Sequence, residues 1–293
     1  MQKLKYKKID AFTSDVSTGN PAACIFLASE SALSKREMLS IARQHRGFVS
    51  EVIFCRRNQS GIKLTYYSSE GEVSFCGHGT IACMYSLIRE TPELLVLNEI
   101  VIQTRRKGPI TVYNKLAEQD AIYVAAPEPE FIGTGLSRGD VAAALGFDNP
   151  DIISDSYPID LIDAGLRTLI VPIADMEAEV SMFPELQKLK DFCVVNGVDI
   201  ILTFCTQVNN PAHIVHSRVF APRYGYLEDP ATGSGNSALG FYMLKNGLWN
   251  GVDCAIEQGG KDRAFNIVRL TRLGDTVLFG GSATMRIEGT YFL

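Results

Sequence analysis

After Gly79 the stretch "TIACMYSLIRE" is apolar around nearly its whole circumference, with charge only at Arg89 and Glu90. A helix without a polar face has to be buried on all sides. A flat two-layer sandwich would leave half of it wet, so the surrounding strands must form a strongly curved sheet wrapped around a central helix. The chain sets this requirement twice. "DPATGSGNSALGFYMLKNG" (229–247) is a second glycine-rich turn opening a second mostly apolar helix.

The segments before each helix also repeat in order, and repetition of order points to a duplicated module. "ACIFLA" (23–28), "SEVIFC" (50–55), "IKLTYYS" (62–68) and "EIVIQT" (99–104) read as strands. "SKREMLSIARQHR" (34–46) reads as an amphipathic helix, with Ser34 as N-cap and Glu37 closing a capping box. In the second half, "IDLIDAGLRTLIVPI" (159–173), "MFPELQKLKDFC" (182–193), "DIILTFC" (199–205) and "AHIVHSRVFAP" (212–222) replay strands, helix, strand and strand. The expected fold is α+β: two similar domains, each a barrel-like, mostly antiparallel sheet around a central apolar helix. The polar stretch near "NKLAEQDAIY" (114–123) sets the expected division at 1–118 and 119–293, with the last strand able to return to the first module. The two glycine-rich turns would then face a cleft between domains, where small-molecule sites commonly form.

The chain has 293 residues, 46% of them hydrophobic and 21% charged, which suffices for a sizeable core. Its net charge is -5 and its only notable basic cluster is "RRK" (105–107), so nothing advertises a nucleic-acid groove. The basic start "MQKLKYKKIDAF" lacks the apolar core of a signal peptide, and no apolar run approaches a membrane span. Seven scattered cysteines without a Cys-x-x-Cys pair argue against a disulfide framework or a zinc knuckle. A cytoplasmic setting with free thiols and no membrane or nucleic-acid partner is the expectation.

A helix N-terminus offers unpaired N–H groups and the positive end of the macrodipole, a natural seat for a carboxylate. Gly77 and Gly79 at one turn, and Gly233 and Gly235 at the other, allow close backbone approach. Each turn alone reads equally as an ordinary helix entry, and the recurrence at matching places is what favours a site. His78 sits where the dipole disfavours its imidazolium, which suits a neutral donor or an acid/base; it would otherwise simply cap its helix. Cys76 at the same terminus is a candidate thiolate base or a small buried hydrophobe. Thr232 stands at the equivalent place in the second module, so a racemase with two opposed thiols is not available. Asp229 precedes Pro230 and reads either as a turn former or as part of the site. Glu51 lies in an alternating strand among Val49, Val52 and Phe54, where a carboxylate suits general acid/base work if it faces inward. "GSGNSA" (233–238) matches a dinucleotide fingerprint but follows "RYGYLEDPAT" rather than a buried parallel strand, so no dinucleotide is expected.

"DAFTSDVSTGNPAA", "SEVIF", "FCGHGT" and "EDPATGS", in this order, resemble the phenazine biosynthesis PhzF-like isomerase family of the diaminopimelate epimerase-like superfamily. The resemblance spans the whole chain. It implies two epimerase-like domains, a cofactor-free site binding a small carboxylated substrate, and a homodimer. It also implies that Glu51 is the acid/base, with His78, Asp229 and Ser234 binding substrate and relaying protons. Three departures stand out: Gly79 where the family commonly has alanine, Gly235 after Ser234 where it often has alanine, and "EQGGKDRAFNI" (257–267) where "GRPS" often follows "EQG". "CGHGT" is also similar to the motif of proline racemases and hydroxyproline dehydratases, in which the cysteine is the base. A third reading keeps the fold as a small-molecule-binding module without turnover.

Overall fold

The structure is a computed structural model that describes residues 2–28, 33–105 and 109–293. Arg106 and Lys107 of the basic cluster lie outside the described residues. The chain divides into two compact units, 1–125 with 280–293, and 126–279.

Unit 1 contains strands β1 (Lys3–Ala11), β2 (Asn20–Leu27), β3 (Glu51–Asn58), β4 (Gly61–Ser68), β5 (Glu72–Val73), β6 (Glu99–Gln103), β7 (Ile110–Lys115) and β8 (Ala121–Ala125). Its helices are α1 (Lys35–Gln44), α2 (Gly77–Arg89) and the short α3 (Pro92–Leu95) and α4 (Leu116–Gln119). The C-terminal strand of the chain, β18 (Ala283–Phe292), returns to pair antiparallel with β1. From β1 the ladder continues antiparallel to β2, parallel to β3, antiparallel to β4, parallel to β6, then antiparallel to β7 and β8. The chain thus stays with unit 1 through β8, whose pairing with β7 carries it past the polar stretch at 114–120.

Unit 2 contains β9 (Glu130–Phe131), α5 (Arg138–Ala144), β10 (Asp160–Asp163), β11 (Arg167–Pro172), α6 (Met176–Ser181), α7 (Leu186–Val195), β12 (Ile200–Cys205) and β13 (Val215–Phe220). It continues with β14 (Glu228–Asp229), α8 (Gly233–Lys245), β15 (Cys254–Gln258), β16 (Asn266–Leu273) and β17 (Thr276–Gly281). Its ladder runs β9, β10, β11 antiparallel, β11 to β12 parallel, β12 to β13 antiparallel, β13 to β15 parallel and β15 to β16 antiparallel. This is the same succession of directions as from β18 to β7, and the two-residue strands β5 and β14 hang antiparallel on β4 and β13 at matching places. The repeat read in the sequence is therefore a repeat of strand pairing.

In each unit the sheet curls around its apolar helix. α2 packs against β18, β1, β2, β3 and β8, which include both ends of the unit 1 ladder. Residues Gly79 to Ser86 and Ile88 are buried. Full burial of side chains such as Ile81, Met84 and Ile88 stabilises by about 1.5–3 kcal/mol apiece. α8 packs likewise against β10, β11, β12 and β16, and Gly235 to Met243 are all buried. The buried Lys7 of β1 reaches Ser86 Oγ at 3.0 Å and also Glu90, placing a cation where the carbonyl end of α2 favours one.

The outer helix α1 starts as its sequence dictates, with the Ser34–Glu37 capping box closed in both directions. It covers the opposite face of the unit 1 sheet, where Ala23, Ile25, Val52, Phe54 and Tyr67 join Ile41 and Ala42 in one core. The helix expected at 182–193 begins only at Leu186, because the Glu185 carboxylate accepts the Gln187 and Lys188 N–H groups at 2.8 and 3.0 Å and fixes the start there. Among the described residues no helix is long and apolar enough to cross a membrane.

Gly79, a departure from the motif the chain resembles, has a packing cause. A Cβ on it would lie 2.7 Å from Ile53 Cδ1 and 2.9 Å from Cys76 Sγ, so these two side chains occupy the room an alanine methyl would need. Gly79→Ala should destabilise by about 1–3 kcal/mol from overpacking, against about 1 kcal/mol of gained helix propensity. Urea unfolding should find the variant less stable than wild type and Ile53→Val restoring part of the loss. A stabilised Gly79→Ala would refute this account.

Candidate active site

Strand period places the first of the candidate residues. In β3, Val52 and Phe54 face the α1 core, so Glu51, Ile53 and Cys55 face the other way. That second face looks onto α2, as the approach of Ile53 to Gly79 shows. Glu51 is therefore carried to the start of α2 by the alternation of its own strand. Its pairing partners are Ala22 on β2 and Ser68 on β4.

Helix α2 begins at Gly77, and its N-cap is Cys76, not His78. The Cys76 sulfur accepts the Gly79 N–H at 3.3 Å, and Thr80 Oγ1 donates to the Cys76 carbonyl at 2.7 Å. His78 is left free of capping and lies in the first turn, with its ring against the thiol (Sγ to Nδ1 3.6 Å, to Nε2 3.8 Å). Its Nε2 is 3.3 Å from Glu51 Oε2. That approach is an ion-pair contact without hydrogen-bond geometry, and Glu51 Oε2 is buried with no hydrogen-bond partner. The two side chains keep only 12% and 20% of their surface exposed, enough to be reached and too little to be well hydrated.

Burial disfavours the imidazolium of His78, yet the neighbouring Cys76 sulfur and the Glu51 carboxylate outweigh it and hold the His78 pKa well above the ordinary value. Burial pushes the Cys76 thiol up, against the opposing pull of His78. The sequence expectation that the helix dipole keeps His78 neutral thus meets a carboxylate the dipole argument did not include.

Glu51, Cys76 and His78 each present one donor atom within 4.8 Å of the others, a set that a soft divalent ion would accept. Glu179, Cys205 and His216 in unit 2 form a second such set, entirely buried. There His216 Nε2 donates to the Gly259 carbonyl at 3.0 Å and Nδ1 meets Glu179 Oε2 at 2.8 Å, while Glu179 Oε1 is buried without a hydrogen-bond partner.

The second group of candidates gathers in unit 2. Asp229 is buried at the end of β14, Thr232 is the N-cap of α8, and Gly233, Ser234 and Gly235 form its first turn. Unlike Cys76, Thr232 does not cap its helix; its hydroxyl donates to Asp229 Oδ2 instead. A Cβ on Gly233 would meet the Phe279 ring at 2.4 Å, so only glycine fits there. Gln258, fully buried at the end of β15, joins this group through four hydrogen bonds. Its signal in the sequence is the glutamine of "EQG" at the end of a strand, which once buried must find partners for both halves of its amide. Of the departures beyond it at Asp262, Ala264 and Phe265, Phe265 is buried and lies edge-on to His216 at 4.6 Å between ring centres.

Comparison with known proteins places the chain in a family. Residues 9–289 match the family model described as phenazine biosynthesis-like protein. The chain is 32% identical over 270 residues to the uncharacterized isomerase YfhB of Bacillus subtilis (strain 168), covering 89% of each chain. It is 26% identical over 292 residues to the trans-2,3-dihydro-3-hydroxyanthranilate isomerase of Pseudomonas fluorescens, covering 94% of this chain and 97% of that one. The crystal structure of the Bacillus anthracis phenazine biosynthesis protein, PhzF family, superposes over 100% of both chains with a TM-score of 0.83 at 23% identity, which shows the fold. With its epimerase-like fold and matched motifs, the chain belongs to the phenazine biosynthesis-like (PhzF) family and is an isomerase of that family.

Proposed function

We propose that this isomerase moves a proton within a small carboxylated, unsaturated or amino-acid-like substrate without help from a cofactor, and that Glu51 is its acid/base. The observation that carries this reading is Glu51 Oε2, buried, lacking a hydrogen-bond partner and 3.3 Å from His78 Nε2. A buried carboxylate oxygen with an ion-pair contact but no hydrogen bond is costly unless something else takes up its lone pair. A substrate C–H or a transferred proton does so.

In the proposed cycle the Glu51 carboxylate takes a proton from carbon α to, or conjugated with, a carbonyl. The C–H electron pair spreads into the conjugated system as an enolate. The carboxylic acid so formed, its proton exchangeable with solvent, returns a proton at the far end of that system, so no electrons are gained or lost and Glu51 is restored. His78, held near Glu51 and raised in pKa, steadies the developing negative charge. Cys76, Gly77 and Gly79 contribute the wall and backbone of the site at α2, and Asp229, Gly233, Ser234 and Gly235 are proposed to bind the substrate and its carboxylate. An aminated cyclohexadiene acid of the kind named for the Pseudomonas relative is the first substrate to try.

General acid/base groups contribute about 10²- to 10⁴-fold. Glu51→Gln should therefore lose turnover by about that factor in a solvent-deuterium incorporation assay, while still binding 3-hydroxyanthranilate, the non-reacting aromatic counterpart of such a substrate. Full deuterium incorporation by the variant would end the assignment.

A second reading makes Cys76 the base, favoured by its contacts with both nitrogens of His78. The upward push on its thiol speaks against it. Cys76→Ala should accordingly keep most of its turnover and resist iodoacetamide. A nearly dead variant would transfer the proton chemistry to the thiol.

The raised His78 pKa has a consequence for stability. Its folded value lies above the unfolded value of about 6.5, so the contacts with Cys76 and Glu51 that raise it stabilise in full below about pH 6.5 and are lost as pH rises through the folded value. Urea unfolding between pH 6 and 9 should show the stability advantage of wild type over Glu51→Gln shrinking as pH rises. An advantage that stays constant would show that His78 is not coupled to Glu51.

A further inference from the structure

The start of α8 is held open. Its N-cap, Thr232, has the residue type that ordinarily folds back to cap a helix, yet it makes no side-chain cap. The cause is a buried amide. Gln258 Oε1 accepts the Thr232 N–H at 3.0 Å and the Asn236 Nδ2–H at 2.7 Å, while Gln258 Nε2 donates to the Asp229 carbonyl at 2.8 Å and to Thr232 Oγ1 at 3.2 Å. Two donors and two acceptor positions are all that a glutamine amide offers, and all four are used on one loop and one helical turn.

Each bond removes a freedom that capping needs. The Thr232 hydroxyl receives the Gln258 proton and passes its own to Asp229 Oδ2, so its lone pairs are directed away from the helix. Asn236, one turn in, is tied to Gln258 and to the Thr232 carbonyl at 2.9 Å and is likewise unavailable to swing toward the N-terminus. Gln258 is itself anchored. The next residue, Gly259, donates its N–H to the Ser217 carbonyl at 3.1 Å and accepts from His216 Nε2, whose other nitrogen meets the buried Glu179. Gln258 and Asn236 have no exposed surface, so water does not compete for these bonds.

We infer that Gln258 is a positioning residue that keeps Thr232 and Asp229 turned off the α8 N-terminus, leaving the N–H groups of Gly233, Ser234 and Gly235 to receive the carboxylate of the substrate. The inference rests on the proposed reading of a carboxylated substrate. In this arrangement Gln258 touches no substrate atom; it sets how strongly a carboxylate is preferred over the same molecule without one. Its exchange should therefore change the discrimination between two ligands rather than simply weaken binding.

The test uses 3-hydroxyanthranilate and 2-aminophenol, the same ring with and without a carboxylate, titrated calorimetrically into wild type, Gln258→Glu and Gln258→Met. Gln258→Glu keeps the acceptor oxygen, loses both N–H donors and puts a negative charge beside the helix start, a change the helix dipole tolerates if folding is a concern. Wild type should prefer the carboxylate, and both variants should lose at least about tenfold of that preference, Gln258→Glu most through its competing charge, with 2-aminophenol binding nearly unchanged. Equal weakening of both ligands, or a lowered melting temperature with the preference intact, would reduce Gln258 to a structural residue and overturn the inference. If wild type itself shows no carboxylate preference, the proposed substrate class fails and the inference falls with it. Loss of turnover in Glu51→Gln tests the proton chemistry separately.

Discussion

Each unit is organised by the need to dry a helix that has no polar face. α2 and α8 are buried along nearly their whole length, and a curled sheet can do this with short strands because it meets the helix from several directions at once. The alternation within each strand then follows. In β3, residues facing α1 and residues facing α2 interleave, and the second set brings Glu51 to the helix start together with Ile53. The position of the proposed acid/base is a by-product of the same packing that holds the unit together.

The two helix starts are built alike and closed differently. At α2 the cap is a sulfur, a weak acceptor, and the histidine one residue into the helix is left to face a carboxylate. At α8 the cap residue is drawn off by a glutamine from β15, and the first turn carries three residues with little or no side chain. Duplication supplies a common scaffold. Divergence of single residues, Cys76 against Thr232, accompanies a histidine facing a carboxylate at one turn and an uncapped end at the other.

Much of this was legible in sequence because it rests on local pattern. The all-apolar helices, the Ser34–Glu37 box, the repeated order of elements and the placing of Cys76 and Thr232 at equivalent points all follow from spacing and residue type. The division of the chain after β8 was less legible, since the polar residues at 114–120 lie inside a pair of strands that hydrogen-bond across them. The raised pKa of His78 was not legible for a similar reason. A dipole argument is local, whereas Glu51 lies 27 positions away in the chain and is delivered by the sheet.

The sequence by itself determined that there are two modules, that each has a buried helix opened by glycines, and which residue types stand at those openings, because periodicity and turn chemistry act over a few residues. Only the tertiary structure decided which groups meet. The Glu51 oxygen against His78, the occupation of an alanine methyl's room by Ile53, and the grip of Gln258 on Thr232 and Asp229 are contacts between strands and helices far apart in the chain. Their geometry is set by packing and hydrogen-bond satisfaction in a dry interior, which no short stretch of residues specifies alone.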